Sequence, residues 1–430
     1  MKMNKLLQSF LLGIFIVVPA GVFAGAATSV DDLDSLVATA LAHNPELRSL
    51  QDQHQGAAQM VAPADDLADP VISFAFSNYP VDSFASDETA MTGNELKLAQ
   101  MLPFPGKLKA KKEVAAQDEL WFKGVYEDAR LELTRKVKEA YYRLYAIDRS
   151  IATVKSNLAL LDDLSRLAET RYQVGKGKQA DVLSVQLERT RQRDRLIQLE
   201  ARRVTIQGGL NTLADRPAGQ AIVTPEKIAI NALDLDLETL KQMAEENRPL
   251  FAAWQARVEK ARDQQKLARL DYKPDMTLWA SYRFRDDNLP DRGTDFASAG
   301  ISFNLPLNRS RRASAVKASE AKLNQAHNQF ADFRNKVDYA LDDAFSAASR
   351  SYDLYQLYRT GIVPQARQVY AATLSAYQVG NADFAELLSA LLNLDRYETE
   401  LHGVVSDYLQ AVARLEAAGG INVPVISKEG

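Results

Sequence analysis

Apolar side chains recur at alternating intervals of four and three residues through one long stretch of the chain. The series spans four heptads and consists of Leu133, Val137, Ala140, Leu144, Ile147, Ile151, Val154, Leu158 and Leu161. A heptad series of this length is typical of a helix that packs in a coiled coil. Only an isolated Gly124 interrupts the helix formers between Lys107 and Tyr172, so we predict one helix over that range. At ~1.5 Å per residue it would be ~100 Å long.

Two shorter helices are predicted beside the long one. A leading helix covers about residues 30 to 62, with Ser29 or Asp31 as its N-cap and a kink at Pro45. A return helix covers about residues 180 to 213, and its heptad face consists of Leu183, Leu187, Thr190, Ile197, Ala201 and Val204. Each short helix spans about half the long one, so the simplest packing stacks a return helix end to end with a leading helix.

Four strands are predicted from β-branched and aromatic residues at near-alternate positions. In the first half of the chain they lie at 71–76 and 96–101, and in the second half at 276–282 and 296–305. The expected fold is therefore mainly α with a small β part. Four strands cannot close a barrel, because the smallest filled barrels need ~8. If the strands span a membrane, the chain must assemble, and a trimer would supply twelve strands.

The second half of the chain repeats the first. Tyr-Gln-Val-Gly at 172–175 returns at 377–380, an offset of 205 residues, and an acid, a Leu and a Ser follow each copy. Leu-Pro at 102 returns at 305, and X-Pro pairs at 44 and 69 return at 248 and 273. A near-constant offset over this span indicates an internal duplication of one large unit of helix, strand pair, long helix and short helix.

The repeat and the composition divide the chain into five parts. Two lysines, an apolar run and small residues at the start are typical of a secretory signal peptide, predicted over residues 1–26. The first repeat is predicted over 27–215, a midpoint linker over 216–236, the second repeat over 237–418 and a C-terminal tail over 419–430. The alternative for the first segment is a transmembrane anchor, but its apolar run is shorter than the ~20 residues a bilayer requires.

Several kinds of chemistry have no support in the sequence. The chain contains no cysteine, which excludes disulfides, thiolate metal sites, a cysteine nucleophile and a lipidated N-terminal cysteine. The four histidines lack a partner at metal-ligand spacing, and no nucleotide-binding or catalytic motif occurs. A net charge of −4 gives no reason to expect nucleic acid. We therefore expect no enzyme activity, no cofactor and no metal site.

The signal peptide, the doubled plan and the repeated Tyr-x-Val-Gly turn together resemble the TolC-like outer membrane efflux proteins. Gly106 and Lys107 after the second strand resemble the family members that serve heavy-metal efflux. The resemblance implies a homotrimer in the outer membrane, with a 12-stranded β-barrel continued by an α-helical barrel through the periplasm. It also implies two partners, a periplasmic adaptor protein and an inner-membrane pump of the resistance-nodulation-division class.

The resemblance further assigns roles around the two turns. Family members close the periplasmic end with acids just past the second turn, where this chain has Glu386 and then Ser389. Three Glu386 carboxylates would favour cations in a narrow mouth, and Asp181 is the counterpart in the first repeat. The alternative is that both acids only complement helix dipoles. The expected adaptor contacts are Tyr172, Val174, Gly175, Lys176, Tyr377, Val379, Gly380 and Asn381.

The expected function is therefore that of a passive channel subunit in a tripartite efflux system, with metal cations as a candidate cargo. One alternative is an exit duct for type I protein secretion. Another is a periplasmic coiled-coil adaptor or scaffold that never enters the membrane, which would not need paired aromatic strands. The sequence does not identify the exported substrate.

Overall fold

A computed structural model describes residues 32–289, 291–423 and 425, so the expected signal peptide, Ser29 and Asp31 lie outside the described residues. The strands are β1 Val71–Ser77, β2 Gly93–Leu102, β3 Met276–Phe284 and β4 Phe296–Phe303. The first half holds helices α1 Leu33–His43, α2 Pro45–Gln59, α3 Lys107–Gln173 and α4 Gln179–Leu213. The second half holds α5 Leu237–Asn247, α6 Pro249–Leu270, α7 Arg309–Leu357, α8 Val363–Val379 and α9 Phe384–Gly419. The mainly α fold with four strands is confirmed.

The long helix α3 contains 67 residues and is the element against which α1, α2, α4, α6 and α9 pack. Its heptad series, between residues 133 and 161, supplies core residues that include Leu133, Val137, Leu144, Val154 and Leu161. No helix in the described ranges carries a stretch apolar enough to cross a lipid bilayer. Packing of these core residues against the neighbouring helices stabilises α3, as expected of a coiled-coil helix.

The short helices stack end to end along α3, as the sequence predicts. The Asn44 side chain donates from Nδ2 to the carbonyl of Leu213, which joins the start of α2 to the end of α4 at 3.1 Å. In the second half, Arg248 Nη1 lies 3.5 Å from the carbonyl of Ala418 and joins α6 to α9 in the same way. Each return helix thus stacks on the leading helix of its own half.

The leading helix is broken at proline in both halves of the chain. A proline disfavours the helical conformation in the residue before it. Accordingly, Asn44 has ψ 122° and separates α1 from α2, while Arg248 has ψ 118° and separates α5 from α6. The expected kink at Pro45 is thus a complete break. The first N-cap is Asp32, whose carboxylate accepts from the backbone of Asp34.

The second long helix runs from Arg309 to Val379 with a π-helical turn at Tyr358–Ile362. Pro364 lies two residues after the end of this turn and has no backbone N–H to donate to the preceding turn. The helix accommodates the missing bond by widening over one turn instead of ending. The two halves therefore differ here, since α3 is uninterrupted.

The four strands form one antiparallel sheet in the order β1-β2-β3-β4, so the two strand pairs join through β2 and β3. One face is apolar and exposed, and it includes Ile72, Phe74, Phe76, Leu96, Leu98, Leu278, Tyr282, Ile301 and Phe303. The other face carries Ser73, Glu95, Lys97, Thr277, Ser281, Arg283, Ser298 and Ser302. Strands β1 and β4 each keep one edge without a partner strand in the described residues.

The segment between α4 and α5 packs on the helices although it contains no helix. Ile222 and Ile230 are buried in the main core cluster. Thr224 donates its hydroxyl to Asp148 at 2.8 Å, and Asp148 also pairs with Arg203. Tyr408 of α9 donates to the carbonyl of Asn231 at 2.7 Å. These contacts fix the segment against α3, α4 and α9.

Candidate functional site

The two repeated turns adopt the same helix-ending geometry at one end of the long helices. Gly175 and Gly380 both have positive φ, at 72° and 85°. In the first turn the N–H of Lys176 bonds the carbonyl of Arg171 at 2.8 Å, and in the second Asn381 bonds Ala376 at 2.8 Å. This is the Schellman arrangement, in which a left-handed glycine ends a helix and lets the chain reverse. The repeated Val-Gly sequence therefore codes for a repeated backbone turn.

The two tyrosines of the turns have different environments. Tyr172 is 48% exposed. Val174 in the same turn and Val379 in the second turn are also exposed, at 62% and 72%. Tyr377 is only 4% exposed, because the Arg171 guanidinium lies 4.5 Å above its ring and Phe384 meets its edge. Burial raises the pKa of Tyr377. Tyr377 therefore offers a partner protein almost no surface and supports the turn from inside.

Arg171 connects the two helix hairpins at their tips. Its Nη1 donates to the backbone carbonyl of Tyr377 while its guanidinium stacks on the same residue's ring. We call this contact the tip clasp. It joins the end of α3 to the end of α8, and Arg171 was not among the residues that the sequence pattern singled out.

The clasp lies beside an apolar cluster shared by both hairpins. The buried members come from α3, α4, α8 and α9 and are Leu161, Leu164, Ala168, Val185, Tyr377, Phe384, Leu387 and Leu391. Burying each large aliphatic side chain of this cluster contributes ~1.5 to 3 kcal/mol. The tip is therefore one packed unit in this structure, and separating the hairpins would expose its core.

The three expected gate residues occupy different positions. Asp181 lies in the first turn of α4, and its Oδ2 accepts from the backbone N–H of Lys178 at 3.2 Å, which satisfies one free donor at the start of the helix. Glu386 and Ser389 are exposed on the same side of α9. Glu386 forms no ion pair within the described chain. The cap interaction accounts for Asp181, whereas the Glu386 carboxylate has no structural partner here.

A buried polar layer lies between the two halves, above the tip cluster. Asp395 of α9 is 3% exposed and accepts from Asn157 of α3, from Gln192 Nε2 at 3.3 Å and from Arg195 Nη1 at 2.8 Å, the last two on α4. Arg195 also donates to Thr399 at 3.2 Å. The sequence pattern did not predict this layer. The available signal was an aspartate between the apolar residues of α9.

No group of three or more His, Asp or Glu residues in the described part of the chain is arranged to hold a metal ion. Of the four histidines, His402 is held by packing: burial and the nearby Arg149 lower its pKa to about 4. It is therefore neutral at physiological pH. The candidate site therefore consists of the two helix tips, with the exposed Glu386 carboxylate beyond the second turn.

Comparison with known proteins identifies the family. The outer membrane efflux protein family model matches residues 36–214 and again residues 240–420. "Toxin and drug export protein A" of Aggregatibacter actinomycetemcomitans is 23% identical over 262 residues, which cover 58% of this chain and 56% of that protein. The match thus spans little more than half of the relative's length.

Solved structures share the whole fold. The outer membrane protein VceC of Vibrio cholerae is 20% identical, with a TM-score of 0.76 over 91% of this chain and 96% of that one. A membrane protein of Pseudomonas aeruginosa is 18% identical, with a TM-score of 0.77 over 90% and 93%. Both repeats match the family model, which confirms the resemblance that the doubled turn indicated, and the chain belongs to the outer membrane efflux protein family.

Proposed function

We propose that the chain is the outer-membrane channel subunit of a tripartite efflux system and acts as a passive export duct that catalyses no reaction. The observation that carries the proposal is the sheet, with one exposed apolar face, one polar face and two unpaired edges. An apolar band outside and polar groups inside are typical of strands in a transmembrane barrel. The match of both repeats to the outer membrane efflux protein family supports the same proposal.

The unpaired edges support a trimer. Lipid offers no hydrogen bonds, so an open strand edge within it would leave backbone groups unsatisfied. Because all neighbouring strands of the four-stranded sheet are antiparallel, β1 and β4 run in opposite directions, and β4 of one chain can therefore pair with β1 of the next in an antiparallel way. Three chains then supply twelve strands in a closed ring. The duplicated units, proposed at 27–215 and 237–418 on either side of the linker 216–236, each contribute one strand pair.

Exposed heptad positions on the helices support the same assembly. The heptad face of α4 is turned away from α3, leaving Leu183, Leu187, Ile197 and Val204 between 54% and 67% exposed. Helices α7 and α8 leave Leu357 and Val369 more than half exposed. A heptad series favours a helical partner. We propose that α4 of one chain packs against α7 and α8 of its neighbour, which builds a helical barrel under the strands.

The tips are proposed as the docking site for a periplasmic adaptor, behind which an inner-membrane pump of the resistance-nodulation-division class would supply the energy. Exposure supports Tyr172, Val174, Gly175, Lys176, Val379, Gly380 and Asn381 as contact residues. Tyr377 supports the second turn from below. The adaptor would open the channel by separating the hairpins at the tip clasp.

The gate is proposed at Glu386, with Ser389 one turn further along α9. Three carboxylates around a closed mouth would attract cations and repel anions. We further propose metal cations as the cargo. Two features support this: the negative charge of Glu386, and the resemblance of Gly106-Lys107 to family members that serve heavy-metal efflux. The named relative exports toxin and drug by its description, so it gives no support to metal cargo.

Membrane fractionation tests the proposal. The mature protein should be found in outer-membrane extracts as a trimer that dissociates only on heating in detergent. A Glu386→Gln variant should fold equally well, because the carboxylate has no ion-pair partner in the described chain, and should lose part of the cation preference of single channels. Release of the wild-type protein as a monomer with periplasmic contents would refute the channel and favour a scaffold.

A further inference from the structure

All charged residues of the four strands lie on the polar face of the sheet. Glu95 and Lys97 belong to β2, and Arg283 belongs to β3. Register places Glu95 opposite Arg283, Lys97 opposite Ser281 and Ala99 opposite Trp279, so all of these side chains share one face. Two cations and one carboxylate give this face a net charge of plus one per chain.

Lys97 is the charge that remains without a counter-ion. Glu95 and Arg283 form a cross-strand ion pair at 3.1 Å and neutralise each other. The Lys97 ammonium has no carboxylate within ion-pair distance in the described residues, and instead it lies 4.6 Å above the ring of Trp279. Cation–π contact attracts the ammonium to the indole without cancelling its charge. The face therefore presents an uncompensated positive charge at a fixed place.

The position of Trp279 depends on the residue opposite it. Trp279 pairs with Gly300 of β4, and a Cβ at Gly300 would lie 2.6 Å from the indole ring. Glycine at this position thus allows the indole to lie flat across the neighbouring strand, beneath Lys97 on the other side. Gly300, Trp279 and Lys97 form a row across three strands, which we call the lysine–tryptophan row.

We propose that Lys97 is a specificity-determining residue of the channel, in a second charge ring at the level of the strands. The proposal rests on the trimeric channel proposed above, in which the polar face of the sheet lines the lumen. Three Lys97 ammonium groups would then oppose the three Glu386 carboxylates at the periplasmic mouth. The ring raises the free energy of cations in the strand barrel and attracts inorganic anions and the anionic groups of solutes.

The ion preference of single channels measures this ring. Reversal potentials in planar lipid bilayers, taken across a KCl gradient near ~10 mM where charges act over ~30 Å, give the ratio of potassium to chloride permeability. Lys97→Gln should raise that ratio about twofold, because three positive charges leave the lumen. Glu95→Gln should lower it, because Arg283 then adds a positive charge. Lys227→Gln, the same substitution at an exposed lysine outside the sheet that has no ion-pair partner in the described residues, is the matched control.

Measuring the permeability ratio at high salt distinguishes an effect of the Lys97 charge from an effect of side-chain shape. In ~1 M KCl charges act over only ~3 Å, so the difference between Lys97→Gln and wild type should disappear. An unchanged ratio in both Lys97→Gln and Glu95→Gln at low salt would overturn the inference, and so would shifts of the same sign in the two variants. Failure of the wild-type chain to form channels would instead refute the proposed function, so the two failures are distinguishable.

Discussion

The tip clasp should hold the proposed channel closed, and its strength follows from two contacts of Arg171. A hydrogen bond from a charged donor contributes ~1.5 to 3 kcal/mol, and an exposed cation–π contact ~0.5 to 1 kcal/mol. Because Arg171 is only partly buried, we take about 2 kcal/mol for both. Arg171→Ala should therefore raise the ratio of open to closed tips roughly 30-fold.

Single-channel recording in lipid bilayers measures that ratio as open and closed dwell times. Arg171→Lys should fall between wild type and alanine, since lysine keeps the charge and loses the planar fork. Tyr377→Phe is the matched control: it retains the ring and the carbonyl that Arg171 contacts, and no side-chain hydrogen bond affects the Tyr377 hydroxyl in the described chain. Unchanged dwell times in Arg171→Ala, or an equally large change in Tyr377→Phe, would refute a role of the tip clasp in closing the channel.

Three further predictions concern the helical body. Asp395→Ala should lower the free energy of unfolding by about 2 to 4 kcal/mol, because it removes the acceptor of buried Asn157 and leaves Gln192 Nε2 with Glu188 alone as its acceptor in the described residues. Calorimetry in detergent should show part of that loss recovered when Asp395 and Asn157 are both replaced by Leu, whereas an additive loss would contradict the pairing of these two residues. Ile197→Glu should dissociate the heat-resistant trimer in gel assays, whereas a lone chain would tolerate it because Ile197 is 67% exposed. His402 has a folded pKa of about 4 against ~6.5 unfolded. As the pH falls, the unfolded state therefore binds the His402 proton before the folded state does. The free energy of unfolding should fall between pH 6.5 and 4, by about 2 kcal/mol at pH 5. His402→Gln should flatten the dependence of the thermal midpoint on pH, and an equal slope in both proteins would contradict the assignment.

The helices and strands could be predicted because each has a strong local pattern. The heptads of α3 require a coiled-coil helix, and proline and aromatic alternation mark the strands. The heptad series of α4 likewise predicted an apolar face, but it did not predict which helix covers that face. Val185 and Leu210 pack inside the chain, whereas Leu187 and Ile197 remain exposed. A heptad pattern predicts that a helix has a packing partner, but it does not predict whether that partner belongs to the same chain or to another.

The polar contacts could not be predicted because they join distant parts of the sequence. Asn157 and Asp395 lie 238 residues apart, and Asn157 is buried beside Leu158, which the heptad had placed in the core. Arg171 looked like an ordinary charged residue at the end of a helix. Each of these roles depends on how the two repeats pack together, and the pattern of one repeat contains no information about that packing.

Disulfide cross-linking tests most directly whether β1 of one chain pairs with β4 of another, because the chain has no cysteine of its own. Ser73→Cys on β1 is combined with Ser298→Cys or with Ser302→Cys on β4, which samples two registers of the polar face. In outer membranes, mild oxidation should convert at least one combination into covalent dimers and trimers, while single variants remain monomeric after heating in detergent. Monomers from both combinations, in protein that fractionates with the outer membrane, would contradict the shared barrel.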